Sequence, residues 1–530
     1  MRIIVIVLLA ALCRAQSADV TPERLVLAQR DPAEWLTYWG DYHATRFRNL
    51  AQIDDKNVSR LRLEWIFQTG APQAFETVPL VVHGVMYFTT GKGDIYAADA
   101  RSGRQLWHYQ YEIPKDAKYC CGTINRGLAV LGRRLFMLTP DTRLLAVDIR
   151  NGSLLWNVEV APSAGGGYGG TEAPLVVKDK VVLGVAAGDF GIRGFVDAYE
   201  VETGKRAWRF WTIPGPGDPG NETWGGDSWK HGGGAAWMTG TYDAALNTIY
   251  WGIGNPAPNL SGDVRPGDNL YSDSVVALDA DTGKLKWYFQ FTPHDTYDYD
   301  ATEAPMLVDL PWQGKQRKLL FQANRNGFFY VLDRESGQFL SAHAFVNTTW
   351  AKGIDSKGRP MRVPGLEPSS EGTVVCPQCA GGTNWMAPSY SPKTRLFYFN
   401  VREGCDVFFS EPPIYKEGAS YWATSYRADA EAQGHQGGRV TALDPLTGKA
   451  RWTFPLYSSP WAGTLTTAGN LVFAGDEDGY LMALQADTGK LLWKVNTGSR
   501  IVTSPITYEI DGKQYVAMPS GGALLTFALP

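Results

Sequence analysis

One pattern, A-x-D-x-x-[TSN]-G-x-x-x-W, recurs seven times in this chain, four of them letter for letter, and limits its fold more than any other feature. It reads AADARSGRQLW (ending at Trp107), AVDIRNGSLLW (Trp156), AYEVETGKRAW (Trp208) and ALDADTGKLKW (Trp287). It continues as a degenerate VLDRESGQFLS (331–341), ALDPLTGKARW (Trp452) and ALQADTGKLLW (Trp493). Successive copies end between 41 residues (452 to 493) and 111 residues (341 to 452) apart, and the long intervals hold Gly/Pro-rich inserts. Upstream of the copies lie alternating apolar runs such as VPLVVHGVMYFTT and GNLVFAGDEDGYLMAL, which read as paired strands. A period of ~40–50 residues with four short strands per unit is the signature of a β-propeller. The D-x-x-T-G turn needs a side-chain acceptor and a glycine at positive φ, and the tryptophan that follows can lie flat on the neighbouring unit. These tryptophans therefore read as packing residues. An eighth unit, SPITYEIDGKQYVAMPSGGALLTFAL, ends the chain, and the early strand RLRLEWIF is expected to pair with it and close the ring. The expected fold class is all-β: an eight-bladed β-propeller with tryptophan-docking repeats.

Composition agrees where the argument needs it. Of 530 residues 58 are Gly and 19 Trp, as many tight turns and a repeated aromatic position require. Fifty basic against 54 acidic residues give a net charge of -4, which supports neither a nucleic-acid partner nor a polybasic membrane surface. Met1-Arg2, the apolar run Ile3–Leu12 and Cys13-Arg14-Ala15 read as a signal peptide over 1–15. That leaves 16–530 as one propeller domain, exported to the periplasm, with no integral membrane segment. Five cysteines then remain: Cys120, Cys121, Cys376, Cys379 and Cys405. An odd count leaves one thiol free or reactive. Cys376-Pro-Gln-Cys379 is followed by Ala380 rather than His, so it is not a c-type haem attachment site, and two thiols make a poor zinc site.

Several motifs outside the repeat carry chemistry: the vicinal YCCGTINRG, LGVAAGDFGIRGF, HGGGAAWMTGTYDAALNTIYWGIGNPAPN, TPHDTYDYDATEAP and AGGTNWMAPSYSP. Taken singly, adjacent cysteines can be two buried thiols and DTYDYD a solvated acidic turn. Together with the repeats, from TYWGDYHATRFRNLAQI onward, they resemble the pyrroloquinoline quinone (PQQ) dependent alcohol dehydrogenases, of which methanol dehydrogenase large subunits are the best known. The resemblance implies that Cys120 and Cys121 form a strained disulfide ring over one face of the quinone, with Trp237 stacked on the other. It places Glu76, Arg126, Thr171, Arg325, Asn384 and Trp385, with backbone from Ala187 and Gly188, around the cofactor's carboxylates and carbonyls. Ala235 stands where methanol dehydrogenases have a hydroxyl, so one contact is lost. By the same context Cys376 pairs with Cys405, leaving Cys379 free.

The metal ligands implied are Asp189, Asn255, Asp298 and Asp300, an oxygen-only set that suits a hard cation. Asp189 takes a position where most relatives have Glu. In an extended segment residues 298 and 300 point to one side. Calcium-dependent methanol dehydrogenases have Ala two residues after the base and lanthanide-dependent ones Asp, so Asp300 implies a lanthanide(III) ion, with Ca²⁺ as the alternative. Asp298 is the implied general base in oxidation of a small alcohol to an aldehyde by hydride transfer to PQQ. With no C-x-x-C-H motif, electrons would pass to a separate c-type cytochrome. His294 and Asp295 read as structural. Inserts 212–234 and 345–375 are expected to shape the substrate mouth. A sugar or polyol quinoprotein, or a non-catalytic scaffold resembling an outer-membrane assembly factor, is the competing reading, and a homodimer stays open.

Overall fold

The computed structural model describes residues 19–71, 75–119, 121–163, 165–423, 425–429 and 437–530. The expected signal peptide at 1–15, and Cys120, lie outside the described residues. Among those described the structure is nearly all β, and its longest helix, Pro22–Val26, has five residues. Among the described residues no helix is long and apolar enough to cross a membrane.

Among the described residues eight sheets each contain four antiparallel strands, spanning 80–109, 129–159, 175–211, 241–290, 306–344, 389–456, 464–496 and 506–528 with 62–68; in the sixth an insert separates the second strand from the third. The last arrangement closes the ring: Arg62–Gln68 pairs antiparallel with Ala523–Ala528, as the sequence led one to expect. The inner strands of every sheet are buried and apolar, and the core lies between neighbouring sheets. Two smaller sheets, Ala351–Ile354 with Pro360–Arg362 and Thr373–Val375 with Asp406–Phe408 and Tyr426–Ala428, sit in the inserts.

The repeat works as a joint. In the first copy Asp99 Oδ1 accepts from the backbone N–H of Arg101 and Ser102, which folds the turn, and Gly103 takes φ +71°. The indole of Trp65, from the preceding sheet, lies over that glycine: a Cβ on Gly103 would sit 2.6 Å from its ring. The same indole donates to the carbonyl of Ala100 at 3.3 Å. Trp107 repeats this on Gly152 and the carbonyl of Ile149, and Trp156, Trp208, Trp287 and Trp452 bond Val201, Ala280, Arg334 and Ala486 in the same way. So glycine is needed twice over, for the turn and for the flat aromatic above it. Trp65, absent from the seven copies, supplies the joint between the last sheet and the first. Where the degenerate copy has Ser341, the ring of His343 covers Gly448 instead.

The segment ahead of the first sheet runs across the ring's axis. Its carbonyls from Ala33, Trp35, Tyr42, His43, Thr45 and Arg46 accept N–H groups of Glu509, Val81, Tyr242, Leu307, Tyr390 and Thr466, on the inner strands of six sheets. Arg46 and Arg48, both fully buried, flank the Trp35 ring at 4.9 and 4.5 Å.

Candidate active site

In an antiparallel sheet the start of the innermost strand and the end of the second lie at the same end. Glu76, Arg126, Thr171, Trp237, Asp298, Asp300, Asn384 and Trp385 all lie shortly before innermost strands, while Ala187, Gly188, Asp189, Asn255 and Arg325 follow second strands. The ring thus gathers them at one end, and all of them line a single cavity of about 580 Å³ together with Cys121. A volume of this size is usual for a small-molecule site. Cys121 is disulfide-bonded, at φ +69°; Cys120, its expected partner, lies outside the described residues.

One side of the cavity is flat and cationic. Arg126 is paired with Glu76 at 2.8 Å and lies 5.2 Å from the Trp237 ring and 4.7 Å from that of Trp385. Burial raises the Glu76 pKa, against the pull of Arg126. Trp385 stacks in turn on Trp461, with ring centroids 6.4 Å apart.

The other side is acidic. Arg325 donates to Asp298 Oδ2 at 2.7 Å and also bonds Asp300. Burial opposes its charge, but the two carboxylates outweigh that and its pKa is raised. The Asp298 carboxyl is pushed well above its ordinary range, first by burial and then, against Arg325, by Asp300 and Asp189. Burial also raises Asp189. Asp300 Oδ1 accepts the Asn255 backbone N–H at 2.8 Å.

The loop carrying these acids is not the extended segment expected, because Asp298 takes φ +65°. Alternation survives for another reason. Asp295 accepts the N–H groups of Tyr297 and Tyr299 at 3.0 and 2.8 Å, and both tyrosine rings pack on the buried Trp350. With the tyrosines anchored in the core, Asp298 and Asp300 face the cavity. His294 is not in its wall; it contacts the carbonyl of Gly267.

Of the remaining expectations, Cys376 is bonded to Cys405, and Cys379 is a free, buried thiol. Cys379 Sγ lies 3.6 Å from Asp298 Oδ2, and burial raises its pKa well above the ordinary thiol range. The inserts do not line the cavity itself: no lining residue comes from 212–234 or 345–375. The first packs against the 268–271 loop, where Trp224 donates to the carbonyl of Leu270. The second carries Trp350 and buttresses the acidic loop from behind. The wall comes instead from Trp422, in a loop whose Tyr421 N–H bonds the Asp189 carbonyl at 2.6 Å. Trp461, Arg500 and Val502 also line the cavity and were missed. Trp461 precedes an innermost strand as Trp385 does, so aligning NWMAPSYS with PWAGTLTT would have found it; Trp422 has no such signal.

The groups present fit a planar polyanionic quinone, with indole faces above and Arg126, Arg325 and Arg500 at the edges. They also fit a hard cation by chemistry, since every donor is an oxygen. Here, however, the carboxylates are turned on to Arg325 and their neighbours, and among the described residues no three His, Cys, Asp or Glu side chains converge on one point.

A ring of four-stranded sheets with such a cavity at one end defines a class. Residues 35–343 match the family described as glucose/ethanol/alcohol dehydrogenase, beta-propeller domain, and the chain belongs to this family of PQQ propeller enzymes. Residues 429–528 also match the model for outer membrane protein assembly factor BamB. Quinoprotein alcohol dehydrogenase PedH of Pseudomonas putida is 38% identical over 96% of this chain and 90% of its own. A lanthanide-dependent methanol dehydrogenase of Methylacidiphilum fumariolicum is 37% identical over 94% of this chain and 86% of that protein. The solved structure of a europium-containing methanol dehydrogenase superposes with a TM-score of 0.91 at 35% identity, covering 96% of this chain and all of that one.

Proposed function

We propose that this protein is a periplasmic dehydrogenase that oxidises a small alcohol to an aldehyde, with PQQ and a lanthanide ion, and passes its electrons to a separate c-type cytochrome. The reading rests above all on one observation: Asp298, Asp300, Asp189 and Asn255 open into the same cavity as the Trp237 indole and Arg126. When bound, PQQ supplies the electron acceptor and the cation a Lewis acid beside it.

The chain's own part is placement and proton transfer. Trp237 and the Cys121 side form the walls between which a planar group is held and water excluded. Glu76, Arg126, Thr171, Asn384, Trp385 and the backbone of Ala187 and Gly188 fix its rim. Asp298 accepts the hydroxyl proton of the alcohol, and the Arg325 guanidinium stabilises its ionised form. Asp189, Asn255, Asp298 and Asp300 are the residues that would hold the cation. Three carboxylates balance a trivalent charge and leave an excess of negative charge around a divalent one.

A non-catalytic scaffold would account for the docking repeats but not for buried acids facing the cavity. The experiment is titration of metal-free protein with PQQ and either La³⁺ or Ca²⁺, using dye-linked alcohol oxidation, in wild type and Asp300→Ala. Wild type is expected to respond to La³⁺ and the variant to lose that response. Full activation by Ca²⁺ alone, unchanged in Asp300→Ala, overturns the lanthanide assignment. Absence of PQQ binding overturns the enzyme reading, and failure of the reduced enzyme to reduce a purified c-type cytochrome overturns the acceptor.

A further inference from the structure

Two of the cavity's carboxylates share a single neutral donor. Asn259 is fully buried in the loop after Thr248–Gly252, four residues past Asn255. Its Nδ2 donates to Asp189 Oδ1 at 2.6 Å and to Asp298 Oδ1 at 2.8 Å. A side-chain amide nitrogen has two N–H groups, and both are used. The amide sits one way round only, since turned over it would set its oxygen against two carboxylates. Its own Oδ1 is buried without a hydrogen-bond partner, a cost that the two charge-assisted bonds outweigh.

Other groups meet the two acids from elsewhere. Asp298 Oδ2 faces Arg325 at 2.7 Å and the Cys379 thiol at 3.6 Å. The Asp189 carboxylate also receives a hydrogen bond from the Trp422 side chain. None of these ties the two acids to each other. Among the described residues only Asn259 does, joining residues 70 and 39 positions away in the chain.

The geometry points to Asn259 as a positioning residue, a neutral clamp that fixes which oxygens of Asp189 and Asp298 are left to face the cavity. A lysine or arginine could hold both acids but would add a positive charge beside a cation site. A hydrophobic side chain would leave two buried anions without a shared donor. This rests on the proposal that Asp189 and Asp298 are metal ligands and Asp298 the base, and it adds a residue that proposal does not use. Hydrogen-bond partners that orient metal ligands are typically worth on the order of 10–100-fold in affinity or activity.

The test compares Asn259→Leu, similar in size with no donor, and Asn259→Gln, which returns the amide on a longer arm. Tb³⁺ is titrated into the full-length metal-free protein and its luminescence, sensitised by nearby indole, is followed; kcat and KM are measured on reconstituted protein. We expect the Leu variant to bind Tb³⁺ about 10–100-fold more weakly and to lose kcat with KM little changed, and the Gln variant to recover part of both. A Leu variant that binds Tb³⁺ and turns over like wild type overturns the clamp. Should it fail to fold, Asn259→Ala gives the same readings. If wild type itself binds no Tb³⁺, the metal reading fails. The clamp is then decided by a metal-free crystal structure of the variant, in which displaced Asp189 and Asp298 carboxylates support it and unmoved ones overturn it.

Discussion

The docking joints and the cavity are built by the same eight sheets and follow opposite rules. At six of the joints the same thing recurs: an indole lies on a positive-φ glycine and donates to a nearby carbonyl, from Trp65 on Gly103 to Trp452 on Gly489, and at a seventh His343 takes the indole's place. At the cavity the sheets contribute mostly different groups, the indoles of Trp385 and Trp461 apart. One gives Glu76, another Arg126, a third Asp189, and the acidic loop before the fifth gives Asp298 and Asp300. The joints bury apolar area and hold the ring together; the cavity concentrates buried charge, which costs stability unless each group is paired. In a repeat protein, stability lives where the units agree and chemistry where they differ.

That contrast can be broken by separating the two losses. Asp298→Asn should lower turnover by about 10²–10⁴ while PQQ absorbance persists and the unfolding midpoint moves less than in any joint variant. Activity within a few-fold of wild type would remove Asp298 from the mechanism. Trp65→Ala should do the reverse, costing about 3–5 kcal/mol in denaturant unfolding while activity of the folded fraction is kept. Because Trp65 forms the closing joint, its loss should exceed that of the half-buried Trp107; equal losses would mean that closure adds nothing. Gly103→Ala drives a methyl group toward the Trp65 ring at an unfavourable φ and should cost about 1–3 kcal/mol, again without touching the cavity.

The smallest effect is a slope. Burial pushes the Glu303 carboxyl up to about 8, and its Oε1 accepts the backbone N–H of Arg325 at 3.1 Å. A raised acid pKa means that the unfolded chain releases this proton first, so stability falls as pH rises from the ordinary carboxylate range through about 8. Thermal unfolding of metal-free Glu303→Gln across that window should be flatter than wild type. Parallel curves would show that Glu303 does not titrate there.

Much of the ring was legible because it repeats. The turn acceptor and Gly of each copy, and the Trp of six, are local in sequence, and their roles follow from turn geometry and aromatic packing. The site residues were legible only jointly, through motifs such as DTYDYD and GGTNW whose members resemble a known family; singly, each is an ordinary turn residue. What the sequence pattern misled about is informative. Residues 298 and 300 do face one way, but through buried tyrosines on Trp350 rather than through strand geometry. The inserts, rich in Gly and Pro, looked like a substrate mouth and proved to be buttresses.

The chain's own letters dictated the propeller, its closure by RLRLEWIF and the need for a positive-φ glycine in each repeat turn, because these depend on spacing and on contacts that recur from unit to unit. Only the folded ring decided that Asn259 would meet both Asp189 and Asp298, that Arg325 would lie between Asp298 and Asp300, and that Trp422 rather than either insert would wall the cavity. Those contacts occur once each, between loops of different sheets or inserts or, for Arg325 with the two acids, between two loops of one sheet. A contact made once leaves no period to read, and it exists only when tertiary folding brings its two sides together.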